Sequence, residues 1–288
     1  MIRLKSRLIT LALVGFALVA GRAAAQSGED IRKQFLLPIP DVSKMAGPGT
    51  FFRGSPGTNL FTPLAFAPGW GDVFFDGDYQ AETRGTKGAD GTFTTNGGND
   101  GAVSGGFGIG NSAKAVSLET VITTLSTFRS GWFNRTAFSF KVSRLLNNTS
   151  AIAVGVENAF IAGGGKTDGT DSWYAVVSKV FQLPNSADRR LFRAVTLSGG
   201  LGNGRFLLLD DLDNNKRTVN IFGSASVLIH DQLSVIGDYS GQDVNVGVSI
   251  VPFTPFPVVF TPIFSDLTRT ASKSPRFTLS VGIGMKFN

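Results

Sequence analysis

The sequence contains no cysteine and one histidine, His230. The first absence removes disulfide scaffolds, thiolate zinc sites, cluster ligation and cysteine nucleophiles together. The second removes any multi-histidine metal centre. Charged residues are sparse, at 17% against 42% hydrophobic, which excludes a disordered polyelectrolyte. Tyr and Trp number 3 each, although Phe reaches 25. Beyond the first 25 residues no apolar run approaches the length of a spanning helix, so any membrane insertion must proceed without helices. Glycine is the excess, at 36 of 288 residues, yet without the G-x-y period of collagen. Its neighbours are Val, Ile, Phe and Ser, which excludes a flexible Gly-rich linker over most of the chain.

The formal charge of +6 suggests nucleic acid, and its distribution argues otherwise. Arg3, Lys5, Arg7 and Arg22 stand in the first 25 residues, where there is no acid. Without those four, 23 basic residues face 21 acidic ones, scattered with no stripe to follow a phosphate backbone. No nucleic-acid partner is expected.

The first 25 residues read as a secretion signal. MIRLKSR is a basic opening, LITLALVGFALVAG an apolar core and RAAA a small-residue exit, with cleavage expected after Ala25. Residues 26–68 are rich in Pro and Gly and read as an amino-terminal arm, either a plug against the main body or a linker.

From Trp70 onward, alternating segments are separated by turn chemistry. Strands are predicted at 70–80, 101–110, 115–125, 133–146, 149–160, 171–182, 191–202, 217–230, 233–241, 243–253, 257–267 and 275–287. Most exceed the five or six residues usual in soluble proteins and suit the ~9–11 residues of a tilted transmembrane strand. In the last segment Phe277, Leu279, Val281, Ile283, Met285 and Phe287 share one face. Thr278, Ser280, Gly282, Gly284 and Lys286 share the other. In residues 219–230 the same alternation holds, with Phe222 and Leu228 as exceptions. Apolar outside and small or polar inside is the pattern of a lipid-facing closed sheet, which alone among sheets leaves no unpaired edge in hydrocarbon. The expectation is an all-β transmembrane antiparallel barrel of about 12 strands over residues 69–288. A soluble secreted β-sandwich, whose strands also alternate, stays open as an alternative.

The ending RFTLSVGIGMKFN resembles the closing strand of bacterial outer-membrane β-barrels, whose terminal aromatic is recognised by the barrel assembly machinery. Here Phe287 is penultimate, a departure from that pattern. Residues 236–253 resemble the Tyr-x-Gly-x-x-x-Asn-x-Gly hairpin of porin-like, YjbH-type envelope proteins associated with exopolysaccharide export. The matching positions are Tyr239, Gly241, Asn245 and Gly247. The resemblance implies a Gram-negative cell outer membrane, with lipids and the assembly machinery as partners and small solutes or polysaccharide as cargo.

Catalytic constellations are scarce. His230 with Asp231 lacks a serine in a G-x-S-x-G elbow and reads as a strand-end position. Gly105 to Gly110 has glycine spacing reminiscent of a dinucleotide loop but no following helix. Gly163 to Gly165 could cradle an anion, though an exposed loop is the simpler reading. Asp210, Asp211 and Asp213 crowd oxygen ligands without the spacing of the helix–loop–helix calcium motif. No enzyme activity, cofactor or metal is expected. Strand parity gives Glu119, Arg135, Lys141, Glu157, Asp238 and Lys286 as pore-lining candidates. Both signs appear, so no strong ion selectivity is indicated. The leading functional expectation is a porin-like passive channel for small solutes. The alternative is a non-conducting structural or interaction barrel in envelope or exopolysaccharide assembly.

Overall fold

A strand with one apolar and one small or polar face is stable in a sheet only when its edges are paired and each face meets a matching medium. A computed structural model describes residues 55–129, 131, 133–163, 171–183, 191–214, 216, 218–253 and 258–287. The predicted signal, residues 26–54 of the predicted arm, Gly164, Gly165 and Asn288 lie outside the described residues.

The strands are β1 (Asp72–Gln80), β2 (Thr86–Lys87), β3 (Phe93–Thr95), β4 (Asp100–Gly110), β5 (Ser117–Thr124), β6 (Arg135–Asn147) and β7 (Ser150–Gly163). They continue with β8 (Ser172–Gln182), β9 (Ala194–Gly202), β10 (Asn220–His230), β11 (Leu233–Tyr239), β12 (Val244–Ile250), β13 (Val259–Ser265) and β14 (Arg276–Lys286). Twelve of them form one closed antiparallel barrel, in which each strand pairs with its sequence neighbour among the twelve and β14 returns to β1. The closing seam runs from Asp72 opposite Lys286 to Gln80 opposite Thr278. All twelve predicted strands are present, their ends within three residues of the expectation. Not foreseen are the small β2–β3 ribbon in the 81–99 connection, a 3-10 turn at Gly204–Phe206 and the short helix α1 (Leu209–Asp213).

The outer face carries the apolar set. Val154, Trp173, Leu201, Ile221 and Phe264 all point outward and are more than half exposed. The inner face carries the small set: Ser143, Ala151, Ala153, Ser178, Ser198, Ser224 and Ser226 are buried. Phe222, an exception to alternation in the sequence, points inward and stacks on Phe206 at 4.4 Å, with Tyr174 edge-on to Phe206 at 5.9 Å. Glycines make this possible. A Cβ at Gly200 would strike the Phe222 ring, one at Gly202 the Phe206 ring, one at Gly106 the Phe74 ring and one at Gly155 the Tyr174 hydroxyl end.

Two irregularities have local causes. In β7, Asn158 takes φ +52 and donates its N–H to the hydroxyl of Ser139 at 3.0 Å, which absorbs a bulge against β6. Pro262 lies in β13 and lacks a backbone donor, and the β12–β13 register is interrupted, with partners at Val246–Phe264, Gly247–Ile263 and Ile250–Phe260.

The connections sort by end. At one end lie the last residues of β1, β5, β7, β9, β11 and β13. At the other lie the last residues of β4, β6, β8, β10 and β12, together with the start of β1 and the end of β14. The tight turns expected at Asn147-Asn148 and around Asp231 are both at this second end.

Candidate functional site within the barrel

Residues 57–69 run inside the barrel. Gly57 lies near the end that carries the start of β1 and the end of β14, donating its N–H to Ser249 Oγ at 2.7 Å and accepting from Ser234 Oγ at 2.6 Å. The arm then climbs to Asp238, whose Oδ2 accepts the N–H groups of Phe61 and Thr62 at 2.7 and 2.9 Å. It crosses the interior and descends: Ala65 donates to Ser178 Oγ at 2.9 Å and accepts from the Ser143 hydroxyl. The Ser117 hydroxyl donates to the Pro68 carbonyl, and Gly69 N–H meets Asp72 Oδ2 at 2.9 Å before β1 begins. A loop lacking a ladder of its own needs side-chain partners for its buried backbone groups. The serines of the inner faces supply them.

Several charged inner residues have defined partners. Lys141 Nζ lies 2.8 Å from Glu119 Oε2, the two being register partners on β5 and β6. Glu157 takes a two-pronged contact from Arg205 of the 3-10 turn, Nη2 to Oε1 at 2.7 Å and Nε to Oε2, while the Arg205 guanidinium lies over the Phe206 ring at 4.3 Å. Asp238 also accepts from Asn245 Nδ2 at 2.7 Å. Asn245 Oδ1 accepts the N–H of Asp266 at 3.0 Å, so one side chain ties together β11, β12 and the 266–275 loop.

Two cavities flank the turn of the arm. One of about 310 Å³ is lined by Asn59 to Leu64, Phe66, Phe74, Tyr174 and the pairs Glu119–Lys141 and Glu157–Arg205. The other, about 720 Å³, opens toward the long connections and shares Phe61 and Arg205 with the first. Its lining includes Arg84, Arg129, Arg135, Arg205 and Arg276, with Asp100 and Asp243.

Of the residues singled out from sequence, Glu119, Lys141 and Glu157 line the smaller cavity and Arg135 the larger. Asp238 anchors the arm rather than lining either. Lys286 stands at the register position opposite Asp72. In the 239–247 hairpin, Gly241 takes φ +96 and makes the turn, the Tyr239 hydroxyl donates to the Gly241 carbonyl at 3.0 Å, and Gly247 lies beside Leu60 of the arm. Phe287 donates its N–H to the Gly71 carbonyl at 2.7 Å. His230 ends β10 on an exposed position. Asp210 pairs with Lys87 at 2.9 Å and Asp211 with Lys216 at 2.7 Å, so the acidic run ties loops together. Among the described residues no group of three or more His, Asp or Glu side chains is placed to hold a metal.

Strand parity missed Arg84, Arg129, Arg205 and Arg276. Three of them belong to connections, where parity has no meaning. Arg276 opens β14 at a position whose inward direction follows from the alternation already noted in that strand.

No protein-family model matches the chain, and no curated protein sequence matches it. Among solved structures, the Acinetobacter baumannii outer membrane protein Omp33 is similar at a TM-score of 0.41 and 9% identity. The match covers 75% of this chain and 98% of that one.

Proposed function

We propose that the protein is an outer-membrane β-barrel providing a porin-like passive route for small solutes, narrowed by residues 55–69. The observation that carries this reading is the contrast between the two faces of one closed sheet. The outward strand positions are mostly apolar, with Arg144 and Lys179 among the exceptions, and the interior holds polar and charged side chains, an aromatic cluster and cavities of about 720 and 310 Å³ on either side of the arm. The signal-like first 25 residues support export to the envelope. A soluble protein has no use for so large an apolar exterior.

Extraction only with detergent and heat-modifiable migration on a gel test the membrane reading. A mature chain that stays soluble without detergent sinks it. Conductance in planar bilayers then tests the channel, with the full mature chain and with residues 26–68 deleted. Conductance that grows on deletion is expected. Steady zero conductance from both favours the second reading, a non-conducting barrel in envelope or exopolysaccharide assembly, for which the occupied interior is the supporting observation.

A further inference from the structure

The larger cavity has an unusual balance of charge and of donors. Among its described lining residues are five guanidinium groups and two carboxylates. The guanidinium groups arrive from five places: the connections after β1, β5 and β9, and the starts of β6 and β14. They therefore converge by folding, not by sequence proximity.

Arg205 is held by Glu157, and Arg276 lies 3.6 Å from Asp243. Arg84 and Arg129 are held by neutral groups instead. Arg84 donates to the Gln242 side-chain carbonyl, and Arg129 to Thr83 Oγ1 at 3.3 Å, which brings its guanidinium beside the residue next to Arg84. The nearby acids are otherwise engaged. Asp100 Oδ1 accepts its neighbour's N–H at 2.8 Å. Asp266, behind Arg276, takes the N–H groups of Thr270 and Ala271 and the Ser272 hydroxyl.

A second observation is independent of charge. Gln242 and Arg276 are 4% and 7% exposed, and Gln242 Nε2 and Arg276 Nε are buried donors without an acceptor. These two buried donors stand in a wall where guanidinium groups outnumber carboxylates, and an oxyanion would supply both acceptor oxygens and negative charge. Guanidinium forks match carboxylate and phosphate oxygens in pairs, which a chloride-sized point charge does not exploit.

We infer that the larger cavity is a binding vestibule for a small oxyanion, a solute bearing a carboxylate or phosphate group, with Arg84, Arg129 and Gln242 as its principal contacts. As a route for such solutes this rests on the channel reading; as a binding site it does not. The opening toward the long connections makes the vestibule the first part of the interior a solute meets from that end.

The test uses the detergent-solubilised mature chain and titration calorimetry with inorganic phosphate and succinate, with putrescine as the cationic control. Binding of phosphate or succinate is expected, weakened about tenfold or more by the double variant Arg84→Gln, Arg129→Gln. Heat-modifiable migration reports whether the variant is still a barrel. If the double variant does not fold, Arg129→Gln alone carries the same comparison, since its partner is an exposed hydroxyl. The inference is overturned if neither anion binds, if the variant binds as the parent does, or if putrescine binds equally well. In bilayers, the reversal potential under a KCl gradient is expected to show chloride preference that shrinks in the variant. An open channel preferring potassium overturns the inference and leaves the channel reading standing. Phosphate binding by a protein that never conducts does the reverse.

Discussion

Replacing Asp238 by alanine tests whether the arm is held inside the barrel by a single carboxylate. Asp238 Oδ2 is the acceptor for two successive arm amides, those of Phe61 and Thr62. Other arm contacts include bonds to serine hydroxyls at Gly57, Ala65 and Pro68 and the Gly69–Asp72 contact next to β1. A hydrogen bond to a charged group contributes about 1.5–3 kcal/mol, against about 0.5–1.5 for a neutral one. Asp238→Ala should therefore cost the turn of the arm more than any serine substitution. The barrel wall should suffer less, because Asn245 Nδ2 retains Asp243 Oδ1 at 3.1 Å.

The assay is amide hydrogen exchange in detergent micelles. If each amide loses one charged acceptor, its local opening becomes easier by about 1.5–3 kcal/mol, so exchange at Phe61 and Thr62 accelerates by about ten- to a hundredfold. Ala65, bonded to Ser178, is the internal control and should change little. Asp238→Asn keeps the shape and one acceptor oxygen, and its effect should lie between the two. Unchanged exchange at Phe61 and Thr62 would refute the anchor. An equal rise at Ala65 would refute its locality, since the arm would then be loosening as one piece. In bilayers the same variant should conduct more than the parent, if the turn limits passage.

Three further outcomes are expected. Lys141→Gln strands the Glu119 carboxylate, which with its partner is 14% and 9% exposed in the side chain; removing one member of such a pair costs about 3–5 kcal/mol. The double variant Glu119→Gln, Lys141→Gln should recover most of that loss in urea unfolding followed by gel shift. Gly200→Ala drives a methyl into the Phe222 ring, which is 4% exposed and backed by Phe206, so about 1–3 kcal/mol of overpacking should appear in the same assay unless Phe222 is shortened to Leu. The Lys87–Asp210 pair holds Asp210 below the ordinary carboxylate range and Lys87 above the ordinary ammonium range, mainly through their mutual hydrogen bond. The depressed acid contributes above its unfolded pKa and loses its contribution as pH falls through its folded value. The raised base contributes below its unfolded pKa and loses its contribution as pH rises through its folded value. The loop tie should thus persist through neutral pH, and an NMR titration of Asp210 in Lys87→Gln should move back toward 3.8.

The barrel was legible because its determinants are local and periodic. Alternation assigns each residue to a face, and turn residues assign the ends, so twelve strands and the inward direction of Glu119, Lys141 and Glu157 could be had without coordinates. The Glu119–Lys141 pair also obeys register, since both belong to neighbouring strands joined by one connection. What periodicity cannot reach is anything contributed by a connection. Arg205 comes from a 3-10 turn to meet Glu157, and Arg84 and Arg129 come from loops. Their positions depend on where the closed barrel brings the strand ends together. With those residues omitted, the sequence showed a balanced mixture of charges. With them included, the larger cavity carries five guanidinium groups against two carboxylates.

The inward glycines and serines carry a related argument about space. Small side chains on the inner face suggest an empty lumen, because each leaves volume that a Leu would fill. Here much of that volume has an occupant. Gly106, Gly200 and Gly202 lie under the rings of Phe74, Phe222 and Phe206, and Gly247 lies beside Leu60 of the arm. Ser117, Ser143, Ser178, Ser234 and Ser249 meet the arm backbone itself. A glycine under a ring and a serine under a carbonyl do different work. The first gives close approach, and the second satisfies a polar group that has no strand partner. A lumen kept open only for water would need neither arrangement to be specific. The placement of hydroxyls along the path of residues 57–68 ties the inner-face composition to the arm, and the space left beyond its turn is the part lined by arginine.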